Sequence, residues 1–155
     1  MSRPFLIALA AVIANSAPLC AQQPATADEK AVWTLIESYG KTRPKATDDI
    51  IFVSGAYPRP IIGKRKIEAG DTGMANADTR MKTRSAVMLK TRPQKVAVSK
   101  SGDMAYGFAL FDMEYDEPDS AGRPEHVKFE GSQLTVWRKV SGEWLLAAAF
   151  NRPNE

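Results

Sequence analysis

Cysteine and histidine occur once each in this 155-residue chain, as Cys20 and His126, and those two scarcities remove much of the usual catalytic repertoire. One thiol makes no intrachain disulfide, and one imidazole rules out any site that needs two histidine ligands. No phosphate-binding glycine loop, dinucleotide fingerprint, serine-hydrolase elbow or metal-ligand spacing is present, so neither a metal nor an organic cofactor is expected. No low-complexity tract or solenoid-length repeat is present either. The nine-residue apolar run from Phe5 to Ile13 is too short to span a bilayer as a helix.

That run follows Arg3 and is broken by Pro18, the pattern of an export signal. Residues 1–21 are expected to be removed by cleavage after Ala21, which places the protein in the periplasm or outside the cell. Cys20 falls in the discarded segment. The alternative is lipid attachment, which wants a small residue just before the cysteine and a leucine three before it; Leu19 and Ala17 stand there instead, so the discarded cysteine is favoured. The chain from Gln22 then holds no thiol, and cysteine nucleophiles and thiolate metal sites are excluded together.

The remainder has the length of one domain, with a short tail at 22–27, a domain over 28–151 and a second tail at 152–155. The formal net charge of +3 hides an uneven distribution. Residues 59–100 carry eleven Lys or Arg against three acids, and residues 101–155 carry five against ten. The two blocks are expected to balance across neighbouring strands or a subunit contact; the alternative is a surface for anionic lipid or polysaccharide. No aromatic-rich basic groove points to nucleic acid.

Thr26 and Glu29 have the spacing of a capping box, and Val32, Leu35, Ile36 and Tyr39 follow on one face of a helix predicted over 28–40, with Gly40 to end it. Ile50 to Val53 reads as a short strand, and the two glycines at 63 and 70 bracket a short basic helix. Its three cations sit at the wrong end for the helix dipole. They form either an anion site or, more plainly, an exposed turn. Extended segments follow at 86–89, 95–99, 104–115, 127–140 and 144–150, separated by turn signals at Arg92-Pro93, Ser101-Gly102-Asp103, Ser120-Ala121-Gly122 and Ser141-Gly142. A helix first and a run of antiparallel strands afterwards is an α+β pattern.

Three segments resemble one family in order and spacing: Gly63-Lys64-Arg65-Lys66-Ile67; Pro93 with Val96-Ala97-Val98-Ser99 and Ser101 to Gly107; and Val136-Trp137-Arg138-Lys139 with Gly142-Glu143-Trp144. The family is the SnoaL-like, domain-of-unknown-function 4440 group of the nuclear transport factor 2-like superfamily, related to ketosteroid isomerase. The resemblance covers roughly residues 28–151. It implies a curved antiparallel sheet wrapped around helices as a cone with an apolar pocket, often dimerised through the outer sheet face.

Ketosteroid isomerase uses a carboxylate base with a tyrosine and a protonated aspartic acid. In this chain the tyrosine slot falls on Trp33 and the base slot near Ser54, neither of which does that work, so this isomerisation is not expected. Other proton carriers remain. Asp112 and Glu114 share one face of their strand, although the acids that follow make a solvated strand end the plainer reading. His126 is the one side chain that ordinarily titrates near neutrality, and an exposed strand edge is its plainer reading. Arg138 is either a clamp for a substrate carboxylate or a cross-strand partner of Glu130 or Glu143, and the partner role is preferred. Ala147-Ala148-Ala149 offers space where the family often shows a polar residue, which favours binding over catalysis. Trp33, Tyr57, Arg138 and Asn151 are the expected ligand contacts, for a small apolar or amphipathic molecule. The sequence thus predicts an exported, cofactor-free binding domain whose expected partners are a ligand and a second copy; the alternatives are a lyase or isomerase using Asp112, Glu114 or His126, and a non-catalytic oligomerisation module.

Overall fold

The computed structural model describes residues 23–55, 57, 59–69 and 83–154. Residues 1–21, where the export signal was expected, and with them Cys20, lie outside these residues, as does Gly70. Helix α1 (Ala27–Glu37) opens on the expected capping box: Thr26 Oγ1 accepts from the Glu29 amide at 3.1 Å, and Glu29 Oε2 accepts from the Thr26 amide at 2.9 Å. The helix stops at Ser38, before Gly40, because Thr91 reaches its end: the Thr91 hydroxyl donates to the Ile36 carbonyl at 2.6 Å and lies 3.2 Å from that of Tyr39.

After α1 come β1 (Ala46–Ser54), β2 (Ile61–Ile62), the short α2 (Lys64–Ala69), β3 (Ser85–Val98), β4 (Met104–Pro118), β5 (Pro124–Val140) and β6 (Glu143–Pro153). They form one six-stranded sheet in the order β2-β1-β6-β5-β4-β3. The pairings are antiparallel except that of β1 with β6, so the sheet is mixed where an antiparallel one was expected. Turn signals report only on strands adjacent in sequence, and β1 meets β6 across the length of the domain. The last hairpin has the turn its sequence demands, with Ser141 at φ 51° and Gly142 at φ 85°.

Arg92-Pro93 is not a turn. The two segments expected at 86–89 and 95–99 are one strand, and Pro93 lies within it. β3 is the sheet edge, where a missing N–H costs no ladder partner, and the register with β4 shifts between Pro93 and Lys95. The charge blocks of the sequence meet here: Arg84 on the loop before β3 pairs with Glu117, and Arg92 with Asp112, both across the β3–β4 ladder.

The core lies on the concave face at one end of the long strands. Val32 and Ile36 of α1 pack with Val96, Ala105, Trp137, Trp144 and Leu146. A Cβ at Gly107 would collide with Ile36 Cδ1, so a bare backbone there lets the helix sit on the sheet. Trp137 is wholly buried and its indole N–H is satisfied by Thr135 Oγ1 at 2.9 Å. At the start of α1, Asp28 Oδ1 accepts from Lys139 Nζ at 2.6 Å and from the Trp144 indole at 3.2 Å, tying the helix to the last hairpin.

Candidate functional site

Among the described residues the other end of the concave face is open. A cavity of about 740 Å³ lies between the sheet, β1 and α2, a size suited to a small organic molecule. Phe111, Met113 and Tyr115 of β4 alternate with the outward residues of that strand and make one wall. Phe129 of β5 sits edge-on to both Phe111 and Tyr115, with ring centroids 6.1 Å and 6.2 Å apart. Leu89, Ile50, Phe52 and Leu146 continue the apolar lining.

Polar groups interrupt this lining in two places, an amide pair inside and a basic fringe. Gln133 on β5 stands directly opposite Asn151 on β6, and both line the cavity. A bulge puts Asn151 there: Trp137 pairs with Leu146 but Val136 with Ala148, so Ala147 is an extra residue. Leu146 and Asn151, five apart, therefore face the same side. Tyr57 lines the opposite wall, its ring 6.3 Å from that of Phe52. Burial pushes the Tyr39 phenol above the ordinary tyrosine range, partly offset by the charge of Arg43, so it stays a neutral donor at physiological pH. Arg43, Lys64, Lys66 and Arg84 give the lining a basic fringe, with Glu68 as the carboxylate among the described lining residues. Lys64 and Glu68 are 3.9 Å apart on α2. Arg84 lies 4.0 Å from the centroid of the Tyr115 ring, a cation–π contact at the wall.

Of the ligand contacts expected from sequence, Tyr57 and Asn151 line this cavity, while Trp33 and Arg138 do not. Trp33 belongs to the helix that fills the closed end, packed beside the core. Arg138 follows the inward Trp137 and so points outward, where its Nη1 lies 3.3 Å from Asp49 Oδ2 on β1; Asp49 is its partner, and not Glu130 or Glu143. The three proton carriers considered from sequence all stand on the convex face. Asp112 pairs with Arg92, Glu114 with Lys128 at 2.7 Å, and His126 Nδ1 lies 2.8 Å from Asp116 Oδ1. The reason is parity: inward Phe111, Met113 and Tyr115 force the even residues of β4, and their partners on β5, to the other side. Proton transfer on a molecule in the cavity does not run through these groups. Among the described residues, no group of three His, Cys, Asp or Glu could hold a metal ion.

Gln133 and the aromatic wall were missed from sequence. Their signal was the alternation of Phe111, Met113 and Tyr115, masked by equally apolar outward neighbours earlier in the strand, Phe108 and Leu110.

No family model and no curated protein matches this sequence. Solved structures do. A conserved protein from Planctomyces limnophilus is similar at 21% identity and a TM-score of 0.59, over 83% of this chain and 97% of that one. An NTF2-like protein with a cystatin-like fold from Novosphingobium aromaticivorans is similar at 15% identity and a TM-score of 0.54, over 83% and 82%. An NTF2-like protein of unknown function from Prochlorococcus gives 10% identity and a TM-score of 0.55, over 84% and 95%. At these identities the likeness is one of fold, and the chain has the α+β fold of the nuclear transport factor 2-like proteins, a curved mixed sheet with a few short helices.

Proposed function

We propose that this chain binds a small apolar or amphipathic molecule in the open end of its concave face. The observation that carries the proposal is the cavity of about 740 Å³, walled largely by aromatic and aliphatic side chains, with Gln133 and Asn151 among them and a basic fringe of Arg43, Lys64, Lys66 and Arg84. A neutral probe, N-phenyl-1-naphthylamine, tests it. Saturable binding with one probe per chain and a blue-shifted emission is expected, weakened at least about tenfold by Met113→Asp, which puts a charge in the wall. A flat titration with the folded wild type would overturn the proposal and favour a module that only associates.

The convex face supports the second half of the reading, a homodimer. Met104, Tyr106, Leu134 and Phe150 are each 40 to 46% exposed on one side of the sheet, more large apolar surface than an isolated sheet face ordinarily shows water. Light scattering is expected to give twice the chain mass for the wild type and a single chain for Leu134→Lys. Among the described residues no helix is long and apolar enough to cross a membrane. Export with removal of residues 1–21 is tested by mass spectrometry of the protein recovered from the periplasm or medium, which should begin at Gln22.

A further inference from the structure

The described residues that line the cavity include four cations, Arg43, Lys64, Lys66 and Arg84, and one carboxylate, Glu68. The cations arrive from three separate segments: Arg43 from the loop after α1, Lys64 and Lys66 from α2, and Arg84 from just before β3. Two are answered within the fold, Lys64 by Glu68 at 3.9 Å and Arg84 by Glu117 at 3.2 Å. Arg43 and Lys66 have no carboxylate partner among the described residues. The acids of β4 do not serve them, because Asp112, Glu114 and Asp116 stand on the convex face with Arg92, Lys128 and His126. Both cations are exposed, whereas the aromatic wall at Phe111 and Tyr115 is buried. Burial pushes the Tyr39 phenol up and the charge of Arg43 pulls it back, so that cation is felt at a side chain of the lining. An apolar chamber with a fringe of one sign suits a molecule that is itself divided, hydrocarbon at one end and negative charge at the other.

We propose that the molecule bound in the cavity is an organic acid, its hydrocarbon body against Phe111, Met113 and Phe129 and its carboxylate drawn to the basic fringe, where Arg43 and Lys66 are the unanswered cations among the described residues. This rests on the reading of the cavity as a ligand site and adds the charge of the ligand to it. The fringe selects in a direction that the wall alone would reverse. A wall of hydrocarbon prefers a neutral molecule, because an ionised group is costly to take from water. Cations at an exposed fringe let a carboxylate keep much of its hydration while gaining their attraction, and that gain shrinks as salt screens it. An arginine and a lysine without carboxylate partners have no ion pair to surrender first.

A matched pair of probes tests this: 1-pyrenebutyric acid and 1-pyrenebutanol, which share an apolar body and differ in charge at neutral pH, titrated by fluorescence. The wild type should bind the acid at least about fivefold more tightly than the alcohol in about 50 mM sodium chloride, and the preference should fall to about twofold or less in about 500 mM. Arg43→Glu combined with Lys66→Glu should abolish the preference in low salt. Lys30→Glu combined with Lys100→Glu makes the same change of net charge on exposed residues outside the lining, and should keep it. Equal or tighter binding of the alcohol by the wild type would overturn the acid assignment and leave the ligand site standing. A preference that survived the first double variant, or was lost equally in both, would overturn it too, since the attraction would then not lie at the fringe. So would failure of the acid to bind where N-phenyl-1-naphthylamine does. Binding of none of the three probes would remove the ligand site and this assignment with it. The wild-type comparison needs no substituted protein, so a double variant that failed to fold would not shield the proposal.

Discussion

The two ends of the concave face are made by the same strands and differ in what they enclose. At one end α1 lies on β3 and β4, Trp137 and Trp144 fill the space beneath it, and the polar atoms there are paired: Trp137 with Thr135, Trp144 with Asp28, Thr91 with the helix carbonyls. At the other end, among the described residues, aromatic side chains from β4 and β5 line a cavity, and Gln133 Oε1 has no hydrogen-bond partner. Close packing stabilises a fold, while a cavity forfeits contacts that a ligand can restore. The comparison therefore separates the residues that hold the protein together from those available to bind something, along the length of single strands.

Substitution at each end should expose that division. Trp137→Ala at the closed end is expected to lower unfolding free energy by about 3–5 kcal/mol, read by urea denaturation, whereas Phe129→Ala at the open end should cost roughly 1–2 kcal/mol because its ring already borders a void. Equal losses would erase the distinction. Gly107→Ala, beneath Ile36, should cost about 1–3 kcal/mol while leaving the affinity for N-phenyl-1-naphthylamine within about twofold, since the helix and not the cavity must shift. On the convex face Asp112→Asn should change stability by no more than about 1 kcal/mol, as expected for a partly exposed ion pair, and leave probe binding unaltered.

A pH titration sharpens the closed end further. The hydrogen bond from Lys139, followed by that from Trp144, holds the Asp28 carboxyl below the ordinary aspartate range. The folded state thus takes up this proton less readily than the unfolded chain. The stabilisation is complete above the ordinary aspartate range and is lost as pH falls through the lowered folded value. The gap in Tm between wild type and Asp28→Asn should hold steady from neutrality down to about pH 5 and close at more acidic pH. A gap that persisted in acid would mean that the carboxylate charge is not what ties α1 to the hairpin.

The closed end was the legible one. Thr26 and Glu29, the heptad-like spacing of Val32 and Ile36, and the Ser141-Gly142 turn between two tryptophans are local signals, and the structure uses each of them. The open end depends on which way strands face, and parity is where local reading fails. Two bulges change it partway along: Leu89 and Thr91 face the concave side with Val96, and Leu146 faces it with Asn151, although the intervals are odd. Counting by twos from Trp144 would have put Asn151 on the convex face. Counting from Trp137 would have put Gln133 inward, yet a glutamine is not what an apolar core pattern asks for. The parallel β1–β6 pairing carried no sequence signal of any kind, because nothing between the two strands marks their meeting.

That pairing also bears on the order of events as the chain folds. β6 lies between β1 and β5, so it joins the β2–β1 pair to the β5-β4-β3 sheet, and it is the last strand in chain order. Until it is in place, β1 has among the described strands only the two-residue β2 beside it and is not joined to the β5-β4-β3 sheet on which α1 packs. Contacts so distant in sequence are slow to form, and their loop-closure cost falls before any reward. A ribosome-bound chain lacking β6 could thus keep the β3-β4-β5 ladders with α1 upon them but not β1 and β2, and the sheet would close only once Trp144 and Leu146 had emerged.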